Sequence, residues 1–173
     1  LKGGLGSTSI ILDNGCTVSA LVAVSSVGST TVGKSKHFWA APFELNGEFG
    51  NLGTAPAYDG QESDWGLKRP FKGESTTIGI VATDAVLDKA QATRMATAAQ
   101  DGLARAIFPS HTPFDGDLLF SVSTKKLKLQ DPIFETLKIG HAAAQCVARA
   151  VARAVYHARP STNDSVPCWS NNV

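Results

Sequence analysis

Apolar and polar positions change rhythm several times along the chain, and each change marks an element. Thr8 to Leu12 and Cys16 to Val24 are short β-rich runs on either side of Asp13-Asn14-Gly15. Asn-Gly between two apolar runs predicts a β-hairpin. Residues 18–24 (Val-Ser-Ala-Leu-Val-Ala-Val) are almost continuously apolar, which predicts a strand covered on both faces. From 25 to 75 the rhythm is lost among Gly, Pro, Ser and Asn, with Phe38, Trp39, Phe43, Phe49, Tyr58 and Trp65 scattered through it. A connection of this length is usually functional or disordered. Its aromatics predict that part of 37–49 packs down, while the more polar 53–75 is expected to be mobile.

Thr77 to Thr83 restores a buried-strand pattern. Asp88 with Gln91 three residues on makes a capping box. Ala92, Met95, Ala99, Leu103 and Ala106 follow as a helical stripe that ends before Pro109. Asp117 to Thr124 reads as another strand. Asp131-Pro132 gives an N-cap followed by proline at the first helical position. The stripe Phe134, Leu137, His141, Ala144, Ala148, Val151 and Val155 then predicts a helix ending before Pro160, with a loose tail at 160–173. The order is strand, strand, long loop, strand, helix, strand, helix. It predicts an α/β sandwich with helices layered on sheets. Two-sheet, four-layer packing is expected once a missing N-terminal part is added, because the chain opens on Leu1 in the middle of a glycine-rich loop.

Composition narrows the function classes. The chain has 173 residues, 43% hydrophobic and 18% charged, which suits one domain with a real core. A net charge of +1 without a basic run argues against nucleic-acid binding. No apolar run reaches the ~18 residues of a membrane span. Cys16, Cys146 and Cys168 form no C-x-x-C pair, so no zinc site or other metal or cofactor is expected. The odd, sparse count points to a reducing, cytoplasmic compartment, with two thiols buried and one near the tail.

Candidate chemistry lies in three places. Thr76 and Thr77 open a buried strand directly after a polar loop; such a threonine is most often structural. His111-Thr-Pro-Phe-Asp-Gly-Asp117 is a turn carrying two carboxylates, Asp115 and Asp117, close enough to raise one pKa unless a cation lies between them. Solvated acids are the commoner reading of such a turn. Lys2 sits in Lys-Gly-Gly-Leu-Gly, where glycines permit close backbone approach but the Walker spacing is absent. His141, on the apolar stripe, reads as a core residue; His111 alone among the histidines is placed near a site.

Together these segments resemble the family of L-aminopeptidase/D-amidase-esterases, β-peptidyl aminopeptidases and 6-aminohexanoate-oligomer hydrolases. Lys2-Gly-Gly-Leu-Gly-Ser, Ser19-Ala-Leu-Val-Ala-Val, Phe38-Trp-Ala-Ala-Pro-Phe-Glu and Thr76-Thr-Ile-Gly-Ile-Val-Ala-Thr-Asp-Ala carry the resemblance. So do Asp101-Gly-Leu-Ala-Arg-Ala-Ile, the Asp115-Gly-Asp117 loop and Arg149-Ala-Val-Ala-Arg-Ala-Val-Tyr. It runs from Leu1 to about Ala158 and is similar to the family's C-terminal half.

The resemblance implies a layered αββα sandwich of the N-terminal-nucleophile type, as a single-domain portion. It implies self-cleavage between Ser75 and Thr76, leaving 1–75 as the end of an α-subunit and 76–173 as the β-subunit. Freed Thr76 would then be the nucleophile of an amide hydrolase acting on small peptides or amides, its α-amine serving as base. Asp115 and Asp117 would hold that amine, and Lys2 would stabilise negative charge. Ser25 stands where the family usually has an oxyanion-hole Asn. The family also implies a homotetramer. Acyl transfer of the ornithine acetyltransferase type and a catalytically degenerate relative are the alternatives.

Overall fold

The computed structural model describes residues 1–58, 60, 61, 65, 67 and 75–171. The expected mobility of 53–75 falls largely outside them. Four strands form one sheet in the order β1 (Leu5–Ile11), β2 (Thr17–Ser25), β3 (Thr76–Ala85), β4 (Leu118–Leu127). Helices α1 (Lys89–Ala104) and α2 (Pro132–Tyr156) pack together against it.

The predicted hairpin forms. Gly15 takes φ +82°, open to glycine at no steric cost. Asn14 accepts from the Cys16 N–H at 3.0 Å, and Leu12 pairs with Cys16 to close the turn. β2 then runs antiparallel to β3, with Ser25 opposite Thr76 and Val18 opposite Thr83. The long connection therefore leaves and re-enters the sheet at the same end. β3 and β4 are parallel, so α1 makes the crossover that a parallel pair needs.

Both helix starts follow the sequence signals. Asp88 and Gln91 bond each other's backbone N–H groups, and Asp131 accepts from the Phe134 N–H. The α1 stripe is buried at Met95, Ala99 and Leu103. The α2 stripe is corrected: Phe134 and Leu137 are 54% and 63% exposed, and His141 is exposed too, with Gln145 as its partner. Burial begins at Ile139 and then extends over most of α2, where Ala142, Ala143, Cys146, Val147, Ala150 and Val151 fill the space between sheet and α1.

That packing is backbone to backbone. A Cβ on Gly102 of α1 would lie 2.3 Å from the Ala144 carbonyl oxygen and 2.7 Å from Val147 Cβ. Gly102→Ala gains about 1 kcal/mol of helix propensity, but overpacking a tight contact costs about 1–3 kcal/mol. A contact this short with main chain belongs at the upper end. The variant is expected to melt several degrees lower by thermal unfolding; an unchanged Tm would mean the helices can part freely.

β2 departs from its predicted double cover. Val18, Ala20, Val22 and Val24 are buried, while Leu21 is 43% exposed. Ile78, Ile80, Leu118 and Phe120 share the open face. The helices thus cover one side of one sheet. The tail is also corrected. Cys168 is buried, and Trp169 stacks on Phe38 while its indole N–H donates to the Lys36 carbonyl at 3.0 Å. All three cysteines are therefore buried. Phe38, Ala40 and Phe49 are buried too, as their sequence predicts. Among the described residues no helix is long and apolar enough to cross a membrane.

Candidate active site

Thr76 is the first residue of β3, at the sheet end where β2 stops. Its hydroxyl donates to the carbonyl oxygen of Ser75 at 2.7 Å. Ser75 is buried. The peptide bond expected to break therefore has its proposed attacker already folded back onto it.

The Asp115-Gly116-Asp117 loop grips the main chain on either side of this bond from the β4 side. The Gly116 N–H donates to the Ser75 carbonyl at 3.0 Å, which sets Asp115 opposite Ser75 in parallel register, and Asp117 accepts from the Thr77 N–H at 2.8 Å. The loop is itself held. Asp115 accepts from the Val27 N–H at 3.0 Å and from both the N–H and the hydroxyl of Thr112, at 3.1 and 2.6 Å. His111 Nδ1 lies 3.1 Å from the second Asp117 oxygen. Burial pushes the Asp117 carboxyl above its usual range. The Thr77 N–H opposes that shift, the Asp115 charge adds to it, and His111 opposes it.

Lys2, Ser25 and Thr76 meet at the end of the sheet. They line one pocket of about 540 Å³ with Ala23, Ile78 and Asp164. The glycines after Lys2 serve backbone proximity: a Cβ on Gly3 would overlap the Val24 carbonyl, and one on Gly6 that of Ala150. Lys2 Nζ is engaged by Asp164 at 2.7 Å and by the Arg159 carbonyl at 2.9 Å. The Lys2 contact holds the exposed Asp164 carboxyl below its ordinary value. Asp164 is the site residue that sequence reading missed. It lies in a polar tail with no motif, and only the folded chain brings it to Lys2. Asp115 and Asp117 reach the site through the main chain on either side of Thr76, each with its carboxylate already engaged. Among the described residues no cluster of His, Cys, Asp or Glu is arranged to hold a metal ion.

Comparison with known proteins places this arrangement. An uncharacterized aminopeptidase of Mycobacterium leprae is 41% identical over 165 residues, covering 90% of this chain and 44% of the relative. The chain thus spans about half the length of the curated relatives it matches. A solved Pyrococcus horikoshii protein superposes with a TM-score of 0.58 at 26% identity, over 92% of this chain and 41% of its own. The Ochrobactrum anthropi L-aminopeptidase D-Ala-esterase/amidase, described as a new variant of the N-terminal-nucleophile hydrolase fold, superposes with a TM-score of 0.52 at 22% identity. It is covered over 40% of its length, by 89% of this chain. The fold class is therefore the expected layered α/β type, of which this chain carries a sheet with its helix layer. The family model for peptidase family S58 matches residues 1–166, and with it the chain belongs to peptidase family S58.

Proposed function

We propose that the chain is part of a self-processing aminopeptidase or amidase whose nucleophile is Thr76. The observation that carries this reading is the Thr76 hydroxyl held 2.7 Å from the Ser75 carbonyl oxygen, at the edge of a pocket shared with Lys2 and Ser25. Cleavage after Ser75 gives Thr76 both a hydroxyl and a free α-amine. An α-amine has an ordinary pKa of ~7.7–8.0, so near neutral pH a useful fraction is unprotonated and can accept the hydroxyl proton. Asp117, bound to the neighbouring Thr77 N–H, and Asp115 of the same loop are the groups that would hold that amine, and Lys2, paired with Asp164, would stabilise negative charge in the pocket. Ser25, across the ladder from Thr76, can donate one hydrogen bond to an oxyanion. The substrate class is small peptides or linear amides with a free amino end.

Amino-acid p-nitroanilides, β-peptides and 6-aminohexanoate oligomers, each assayed with and without an added acyl acceptor, test this. Turnover of at least one substrate to free acid, unaffected by the acceptor, is expected. Product found only on the acceptor would make the protein a transferase. Absence of turnover by a correctly cut protein would remove the hydrolase reading.

A further inference from the structure

We propose that Gly116 is the catalytic residue for the protein's own maturation: its backbone N–H holds the oxyanion formed when the Ser75–Thr76 bond breaks, and its missing side chain leaves room for the attack. This rests on the self-processing reading above.

Two donors converge on the Ser75 carbonyl oxygen, the Gly116 N–H at 3.0 Å and the Thr76 hydroxyl at 2.7 Å. They fare differently in the reaction. The Thr76 oxygen must bond to the Ser75 carbonyl carbon, so its hydroxyl leaves the hydrogen bond and gives up its proton. The carbonyl oxygen then carries negative charge, and the Gly116 N–H is the donor that remains on it. As the carbonyl re-forms, the carbon–nitrogen bond breaks and the nitrogen of Thr76 gains the proton that left its oxygen. Water then opens the resulting ester, giving the Ser75 carboxylate and restoring the Thr76 hydroxyl.

The donor is fixed before the reaction begins. Asp115 is pinned by Val27 and Thr112, and Asp117 is tied to the Thr77 N–H. Gly116 lies between them and cannot drift from the carbonyl without breaking both anchors. Such preorganised donors are worth far more than mobile ones. The residue type matters for a separate reason. A Cβ at position 116 would stand 2.9 Å from Thr76 Oγ1, against the oxygen that has to move.

The test is a single-atom change in the full chain: glycolic acid incorporated at position 116, replacing the N–H with an ester oxygen. Intact mass over time then reports the fragment starting at Thr76. Loss of one oxyanion donor predicts cleavage slower by about 10²–10³-fold. Gly116→Ala is expected to cut at least tenfold more slowly while retaining a cooperative melt. Hydrolysis of the introduced ester would give a different fragment and cannot be mistaken for cleavage at Thr76. If wild type is cut and the ester variant is cut at the same rate, this role for Gly116 is overturned while self-processing stands. If wild type is never cut, both fall together.

Discussion

Thr76→Ala is expected to give one uncut species and no fragment starting at residue 76, with amidase turnover reduced to background. The variant removes the oxygen proposed to attack in both steps, maturation and substrate cleavage. Losing a nucleophile in a comparable hydrolase costs about 10⁶-fold in kcat. The fold should survive. Thr76 is only partly buried at a strand start, and β-propensity differences span about 1 kcal/mol. Thr76→Ser keeps the oxygen and is expected to be cut and active. Mass spectrometry of the purified chain and a p-nitroanilide assay read the two effects separately. A Thr76→Ala protein that still yields a fragment starting at residue 76 would mean that another group, or another protease, breaks the bond.

The second large effect concerns the anchoring of the long connection rather than the chemistry. Glu48 forms a two-pronged pair with Arg149 of α2, one prong at 3.0 Å, and also accepts from Arg153 at 3.1 Å. The Glu48 and Arg149 side chains are 9% and 7% exposed. Arg149 additionally donates to the Ser9 carbonyl at 3.1 Å, so the cluster binds the connection, β1 and α2 together. Removing one partner of a buried pair costs about 3–5 kcal/mol because the other charge is left stranded. Glu48→Ala should therefore fall in that range by chemical denaturation. Glu48→Leu with Arg149→Met should cost less than Glu48→Ala alone, since the buried Arg149 charge is removed with its partner and only the more exposed Arg153 loses a contact.

The pH dependence follows from the direction of the Glu48 shift. Burial alone would raise its carboxyl; the hydrogen bonds and charge of Arg149, with Arg153, overcome that and hold it below the ordinary value of 4.5. The folded state thus binds this proton more weakly than the unfolded state. The stabilisation is fully present above the unfolded pKa and is lost as pH falls through the folded one. The stability gap between wild type and Glu48→Gln is expected to be constant near neutrality and to close below about pH 4. A gap that stays constant on acidification would contradict the assignment.

Signals written within a few residues were legible in the sequence. Asn14-Gly15 fixes the hairpin, Asp88 with Gln91 fixes the start of α1, and Asp131-Pro132 the start of α2, because each partner is a near neighbour. Burial was less legible. Periodicity identifies an apolar face but not whether another layer reaches it, so Leu21, Phe134 and Leu137 read as covered and are exposed. The seating of Trp169 on Phe38 and Lys36 depends on residues over a hundred positions apart, and no local pattern encodes it. The site divides along the same line. Lys2, Ser25 and Thr76 carry recognisable surroundings and do converge. The charge partner of Lys2 is Asp164, in a tail without pattern. The contacts of the Asp115–Asp117 loop with the main chain of residues 75–77 were equally invisible, since a backbone donor has no sequence signature.

The seated tail has a consequence for engineering. The Lys2 N–H donates to the Pro167 carbonyl at 2.8 Å, so the glycine-rich loop and the tail are neighbours. Two neighbouring segments can be joined by a short linker. For the 173-residue segment alone, a gene rearranged to begin at Thr76, run through the tail, pass by a short linker to Leu1 and finish at Ser75 would present the Thr76 amine by translation order, once the initiator methionine is removed. The Ser75–Thr76 bond would never be made, so no self-cleavage would be needed. In such a permutant, amide turnover could be measured apart from maturation, which the proposed mechanism couples in a single residue.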